Sequence, residues 1–468
     1  MRPFANIATV FILGGCTSES IPARAAWIQQ QLAKDNQVWL DRDPDLVAEK
    51  FQKMAGNGYF FMRGTTSLFY ADVAQVYEKR SSTQFLSTED AGLVMMVGDP
   101  HPENFGTLPA TEFSDEPVWG WTDLDASTYG PYLLDLRRLV QGTLVMARPL
   151  SGCGNTCLYD IAEDLSVGYA EEIQNLTMGK TTKLESAILD DVLDEALEEG
   201  FERKRFFKYT ESIDEQEVRL RRFEPVRALE KAHRDLTDTQ TQQLATLLAD
   251  FNQQTNQPVR LLDAVRRFGT GVNSYPAIRY IVQVDHGESG PDDDRLLGVR
   301  EMRNPAAAPV PTHGQPTWAD NGERISFLST HLWPHDEGDR MYRGLREGPM
   351  AFRSRSYASW SQEIDHEKVA EAWRDGDIDA EDLATTANML GRALAQAHAG
   401  GQTARGTPAL KAIAKDIAKG GGRAFVRERI RDSVTDIRDL ERDRKAFTWL
   451  LSAYGPLLGT ETILEDEL

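Results

Sequence analysis

The apolar positions of this 468-residue chain fall into two rhythms, a helical one that dominates and a shorter strand-like one that interrupts it. Over residues 25–55 apolar side chains recur at helical spacing, first Ile28, Leu32, Val38 and Leu40, then Leu46, Val47, Phe51 and Met54. Gly56-Asn57-Gly58 breaks the pattern. The run Tyr59-Phe60-Phe61-Met62 reads as a strand, and a helix is predicted over 67–77. Residues 93–97 and 118–122 are short apolar runs that read as buried strands. An amphipathic helix is predicted from Asp135 to about residue 146, with further helices over 158–177, 181–202, 211–234 and 238–250. The character changes near Pro258. There 261–268, a glycine-bearing turn, and the runs 279–284 and 296–301 predict a small sheet. From about 340 onward the pattern is helical, most clearly over 384–399 and 422–454. An α+β fold is expected, mostly helical with a small antiparallel sheet.

Composition adds little, but charge adds something. Hydrophobic residues make up 41% and charged residues 27%, as in ordinary globular proteins. Against 52 Lys and Arg stand 73 Asp and Glu, a net charge of −21, which disfavours nucleic acid or an anionic membrane surface as a general partner. The N-terminus carries its own signal. Arg2 precedes an apolar stretch over 4–13 that is too short to span a bilayer. Leu13-Gly14-Gly15-Cys16 then resembles the lipobox of bacterial lipoproteins, in which residues 1–16 form the signal segment and Cys16 would be lipidated and become the new N-terminus. The mature chain is therefore expected in the cell envelope, facing the periplasm and touching membrane only through that lipid. The alternative is an apolar N-terminal segment on a cytoplasmic protein. Cys153 and Cys157, in SGCGNTC, fit a small disulfide, which export permits. A zinc site would need two more ligands nearby.

The chemistry concentrates between residues 97 and 136. VGDPHPENFGTL places Asp99 at the end of an apolar run and Asn104 five positions on, and VWGWTDLDASTYG ends a second run at Asp123 and Asp125. In phosphoryl transfer one Asp accepts the proton of the attacking hydroxyl, while another Asp and an Asn hold the magnesium on the nucleotide phosphates. Asp and Asn also favour plain turns, which is the alternative for this loop. Arg63, before Gly64, is either an anion ligand or an ion-pair partner. Gly269 and Gly271 lie in a turn able to lay backbone donors over phosphates, or in a turn and nothing more. The charge-rich stretch 187–205 reads as a solvated helix face, and His398 as a packed or capping histidine.

The segments KMAGNGYFFMRG, VGDPHPENFGTL, TDLDASTYGPYLLDLRRL, FGTGVNSYPAIRYIVQV, LLGVREM and LGRALAQAHAGG span roughly residues 51–401. Together they resemble the bacterial domain of unknown function 2252 family, which is grouped with protein-kinase-like and aminoglycoside-phosphotransferase-like folds. The resemblance implies a kinase-like phosphotransferase using ATP and Mg2+ on a small hydroxylated molecule. Asp99 would be the base, with Asn104 and Asp123 as metal ligands assisted by Asp125, and Asp135 would brace the loop. Gly269 and Gly271 would cover the phosphates. Because the glycine turn follows the catalytic segment, the resemblance also implies a circularly permuted or differently assembled nucleotide lobe. The regions expected are 17–257 for the catalytic loop and helices, 258–310 for the glycine-turn sheet and 311–468 for C-terminal helices. One departure stands out, since Arg300 occupies the place of a family lysine that would reach the nucleotide. An exported pseudokinase acting as a binding or scaffold protein is the rival reading. A metal-dependent hydrolase built on Asp99, His101, Asp123 and Asp125 ranks last.

Overall fold

The computed structural model describes residues 21–79, 93–109, 117–214, 217–221, 233–255, 258–285, 287, 292–308, 310, 316–333, 339 and 341–466; the lipobox and Cys16 lie outside these residues. Four helices come first: α1 (Ile21–Arg42), α2 (Pro44–Gly56), α3 (Gly58–Gly64) and α4 (Thr66–Lys79). Two antiparallel ribbons follow. In them β1 (Val94–Met96) pairs with β4 (Thr128–Gly130), and β2 (Phe105–Pro109) pairs with β3 (Pro117–Trp121). Helices α5 (Tyr132–Ala147), α6 (Asn155–Thr177), α7 (Ala187–Phe201) and α8 (Lys204–Tyr209) lead to a hairpin of β5 (Thr210–Asp214) and β6 (Glu217–Leu220).

The main sheet is next. It takes β7 (His233–Arg234), β8 (Arg260–Arg267), β9 (Arg279–Asp285), β10 (Arg295–Glu301), β11 (Arg343–Glu347) and β12 (Met350–Ser356), with α9 (Asp238–Gln253) and α10 (Asn321–Leu332) inserted along the chain. Its order is β11-β12-β10-β9-β8-β7, antiparallel throughout. The chain ends in α11 (His366–Asp375), α12 (Ala380–Gly400), α13 (Ala409–Gly420), α14 (Gly422–Tyr454) and α15 (Thr460–Asp466).

Strand alternation gives the sheet two unlike faces. Tyr280, Val282, Leu297, Val299 and Phe352 pack with Leu244, Leu247 and Phe251 of α9 into one apolar cluster. On the other face Arg279 lies opposite Arg300, and Arg300 opposite Arg353. The helical body is a separate and larger core, built on α5, α6 and α12 with the β1–β4 ribbon against them. Helices α6 and α12 approach closely because both present glycine. A Cβ on Gly391 would lie 2.1 Å from the Leu165 carbonyl oxygen, and one on Gly168 would lie 2.2 Å from that of Asn388. The N-terminal helices cover α14, with Phe51 and Phe61 against Phe447. Buried Arg24 of α1 ties Asp72 of α4 to Asp443 of α14.

Three stretches depart from the pattern read along the sequence. Tyr59-Phe60-Phe61-Met62 is helical, since the Asn57 side chain accepts from the Phe60 N–H at 2.7 Å and caps α3. Tyr59, Phe61 and Met62 are then buried on its inner side. Within 211–234 the described residues form β5, β6 and β7 rather than helix. The stretch beginning near 340 opens with a hairpin, in which Glu347 pairs with Met350 and Gly348, at φ +56°, makes the two-residue turn with Pro349. The sheet therefore draws strands from both sides of 258–310, and the helices resume only at α11.

Candidate functional site

The buried strand β1 delivers Val97, Gly98 and Asp99 into a tight corner. Gly98 has φ +90°, and a Cβ there would lie 2.0 Å from the Ala126 carbonyl oxygen, so only glycine fits. Asp135, in the first turn of α5 and fully buried, accepts from the Val97 N–H at 2.6 Å and the Gly98 N–H at 3.0 Å. His398 of α12 places Nε2 3.0 Å from Asp135 Oδ2, while its Nδ1 lies 2.8 Å from the Tyr169 hydroxyl of α6. His398 is thus a packed residue inside a buried chain of contacts that fixes the loop.

Asp99 is held at both carboxylate oxygens. Arg138 Nε donates to Oδ1 at 2.8 Å and the Thr66 hydroxyl donates to Oδ2 at 2.9 Å. Arg138 is 1% exposed and also donates to Gln141 Oε1 and the Met62 carbonyl, so its position is fixed from four directions with Thr66. Asn104 ends a single 3-10 turn and donates from Nδ2 to the Asp99 carbonyl at 3.0 Å.

Across from this loop stands the charged face of the main sheet. Arg300 NH2 donates to both oxygens of Asp123, each at 2.8 Å, and contacts Asp125 as well. Arg353 Nε donates to Asp125 Oδ1 at 2.6 Å. Burial alone would raise the Asp123 carboxyl, but Arg300 and Arg353 outweigh it and hold the group well below the usual carboxylate range. The Arg300 guanidinium is correspondingly held above its ordinary value, because Asp123 and Asp125 outweigh its burial. Arg279 differs. It is 8% exposed, it donates only to the Ser274 hydroxyl and the main-chain oxygens of Tyr275 and Ala277, and no carboxylate among the described residues accepts from it. Burial, followed by Arg300, Arg267 and Arg353, pushes it well below the usual guanidinium value.

These groups share one cavity of about 290 Å³. Asp99, Asn104, Asp123 and Asp125 line it from the helical body, Arg300 and Arg279 from the sheet, and Gly271 and Ser274 from the β8–β9 loop. Gly269 and Gly271, at φ +70° and +75°, shape that loop. A second cavity of about 540 Å³ adjoins the first and shares Arg279, Arg300 and Arg355 with it. Arg63 reaches the rim, where it pairs with Glu103. His101 also lines the cavity. It is 2% exposed, Nδ1 has no hydrogen-bond partner among the described residues, and burial with Arg63 and Arg138 pushes the imidazole well below its usual value. Cys153 and Cys157 are joined in a disulfide at the start of α6, in the core of the helical body.

The carboxylates suit a divalent ion poorly as they are paired. An ion at bonding distance from an Asp123 oxygen would sit roughly 4–5 Å from the Arg300 nitrogen. Opposing +2 to +1 at that range costs about 7–8 kcal/mol at an effective dielectric constant of about 20. The two groups of three carboxylate or imidazole ligands among the described residues, Glu103–Asp365–His366 and Asp285–Asp293–Asp294, include none of Asp99, Asp123 and Asp125. Phosphate oxygens suit the site better, since Arg279 offers a buried guanidinium that donates to no carboxylate among the described residues.

Sequence reasoning missed the groups that hold the site together. Thr66 and Arg138 bind Asp99 from 33 and 39 residues away, and no local pattern announces such contacts. A partial signal for the arginine row did exist, because Arg279 and Arg300 each adjoin a run of apolar residues that reads as a strand.

Among known proteins, a family model described as an uncharacterized protein conserved in bacteria (DUF2252) matches residues 42–448. No curated protein and no solved structure matches the chain.

Proposed function

We propose, from the premise that the chain belongs to the domain of unknown function 2252 family, that it is a kinase-like phosphotransferase moving the terminal phosphoryl group of ATP to a hydroxyl of a small molecule. The observation that carries the reading is the convergence of Asp99, Asn104 and Asp123 with the glycine loop and Arg279 on one cavity. The order strand, glycine loop, strand, cation-bearing strand, here β8 to β10 with Arg300, parallels the phosphate-covering half of a protein kinase.

In this reading the acceptor hydroxyl enters beside Asp99. A carboxylate has about four lone-pair sites and two are occupied by Arg138 and Thr66, so Asp99 retains capacity to take a proton. The acceptor oxygen bonds to the terminal phosphorus as its proton passes to Asp99. The bond from phosphorus to the bridging oxygen breaks, and ADP leaves with that electron pair. Arg279 and Arg300 hold the phosphate oxygens, and Asn104, tied to the Asp99 main chain, keeps the loop geometry fixed. The larger adjoining cavity takes the nucleoside.

The test is ATP consumption across a panel of small alcohols, sugars and aminoglycosides. Asp99→Asn should lower kcat by about 10²–10⁴-fold while ATP binding stays within about threefold. Unchanged turnover in that variant would remove Asp99 as base. A second reading, binding without turnover, is favoured by the double hold on Asp99 and by arginine in place of lysine at 300. Nucleotide binding with no turnover on any acceptor would select it.

A further inference from the structure

We propose that Arg300 stands where a divalent cation would stand, so that the phosphate chain of a nucleotide, or inorganic diphosphate, binds in this cleft through guanidinium groups without metal. The inference rests on the phosphotransferase reading and concerns how that same site neutralises its ligand.

The geometry begins with one nitrogen. Arg300 NH2 is equidistant from the two Asp123 oxygens at 2.8 Å and also touches Asp125, so a single cationic group bridges two carboxylates as a metal ion does. Arg353 takes the remaining Asp125 oxygen. Both acids are thus neutralised from the sheet before any ligand arrives.

The row extends past what those acids can balance. Arg353, Arg300 and Arg279 face one another across β12, β10 and β9, and Arg267 follows the last β8–β9 pair, Arg266 with Tyr280. Like charges set directly opposite on adjacent strands repel. Within this row four guanidinium groups meet two carboxylates, Asp123 and Asp125, and among the described residues neither Arg279 nor Arg267 donates to a carboxylate. Among the described residues Arg279 has only neutral acceptors, and Arg267 Nε is buried without a hydrogen-bond partner while its NH1 donates to the Tyr357 hydroxyl. A ligand carrying two or more negative charges completes the set. Guanidinium forks match phosphate oxygens in pairs, and they shed water more readily than ammonium. A row of four, spaced one strand apart at roughly 5 Å, suits a chain of linked phosphates rather than one.

The experiment is calorimetric titration of the full chain with inorganic diphosphate, once with EDTA and once with excess Mg2+. Wild-type affinity should agree between the two within about threefold. Arg279→Gln should lose at least about tenfold in both, the scale of one charged hydrogen bond. Arg300→Gln, with Arg300→Lys as a second variant should the first not fold, should lose at least about tenfold in EDTA and recover with Mg2+, because the freed Asp123 and Asp125 then accept the ion. Wild-type binding that requires Mg2+ would overturn the inference and leave the phosphotransferase reading standing. No diphosphate binding with or without Mg2+ would overturn both.

Discussion

Replacing Asp135 by asparagine isolates the device that shapes the loop after β1, where Asp99 sits. Asp135 is fully buried and accepts from the Val97 and Gly98 N–H groups at 2.6 and 3.0 Å. The amide keeps the volume and one acceptor oxygen, but its NH2 must face the other N–H or His398. One charge-assisted bond is lost and the second loses its charge. With each such bond contributing about 1.5–3 kcal/mol, the net cost is about 3 kcal/mol. A protein with roughly 5–15 kcal/mol of stability stays folded under that loss, so the damage should be local. Hydrogen exchange measures it directly: the Val97 and Gly98 amides should exchange about 150-fold faster, the equivalent of 3 kcal/mol. Amides of α9, which packs on the far face of the sheet, should be unchanged. If Val97 and Gly98 exchange within threefold of wild type, Asp135 does not brace the loop. Equal acceleration in α9 would mean global loosening, and the local account would fail as well.

Lys50 sets a pH dependence. Burial outweighs Asp35, which Arg303 already engages, and lowers the Lys50 ammonium from 10.5 to about 7. The unfolded chain then binds more protons than the folded one between pH 7 and 10.5, so this group makes stability rise with pH across that window, by at most about 5 kcal/mol. The denaturant midpoint should climb from pH 7 to about pH 9 and Lys50→Met should flatten the climb, whereas a slope equal in both proteins refutes the assignment. At the α6–α12 crossing, Gly391→Ala gains about 1 kcal/mol of helix propensity but forces a methyl against the Leu165 carbonyl, a clash of about 1–3 kcal/mol or more. Calorimetry should show a lower Tm, and a raised Tm would show that the crossing opens without cost.

How far the sequence carries depends on the range of the interaction. Asp99, Asn104, Asp123 and Asp125 were legible because each ends a short apolar run or lies within a few residues of one, and the structure brings all four to one cavity. Helices α12 and α14 were legible because their periodicity persists over five or more turns. Tyr59 to Met62 was not, since an unbroken apolar run of four carries no period to separate strand from helix, and the deciding contact is the Asn57 cap. The β11–β12 hairpin did carry its signal, Gly-Pro between alternating residues. Its strand residues are polar and basic on one side, which hid the alternation. Arg138 and Thr66 were invisible for a different reason: only tertiary packing brings α4 and α5 to the end of β1.

The two-faced sheet has a consequence for how the chain folds. Pairing β9 with β10 one residue out of step would turn one strand's side chains to the opposite face. Arg279 would then enter the apolar cluster beneath α9 beside Leu247 and Val299, or Arg300 beside Leu247 and Val282. A guanidinium stranded there without an anion is among the costliest burials a protein can make. The residues assigned to hold phosphate therefore also act as proofreaders of strand alignment. Any variant that neutralises the row, even one that leaves every native contact of the apolar face intact, removes a penalty that disfavours misregistered hairpins, and is expected to fold less faithfully than its native-state stability suggests.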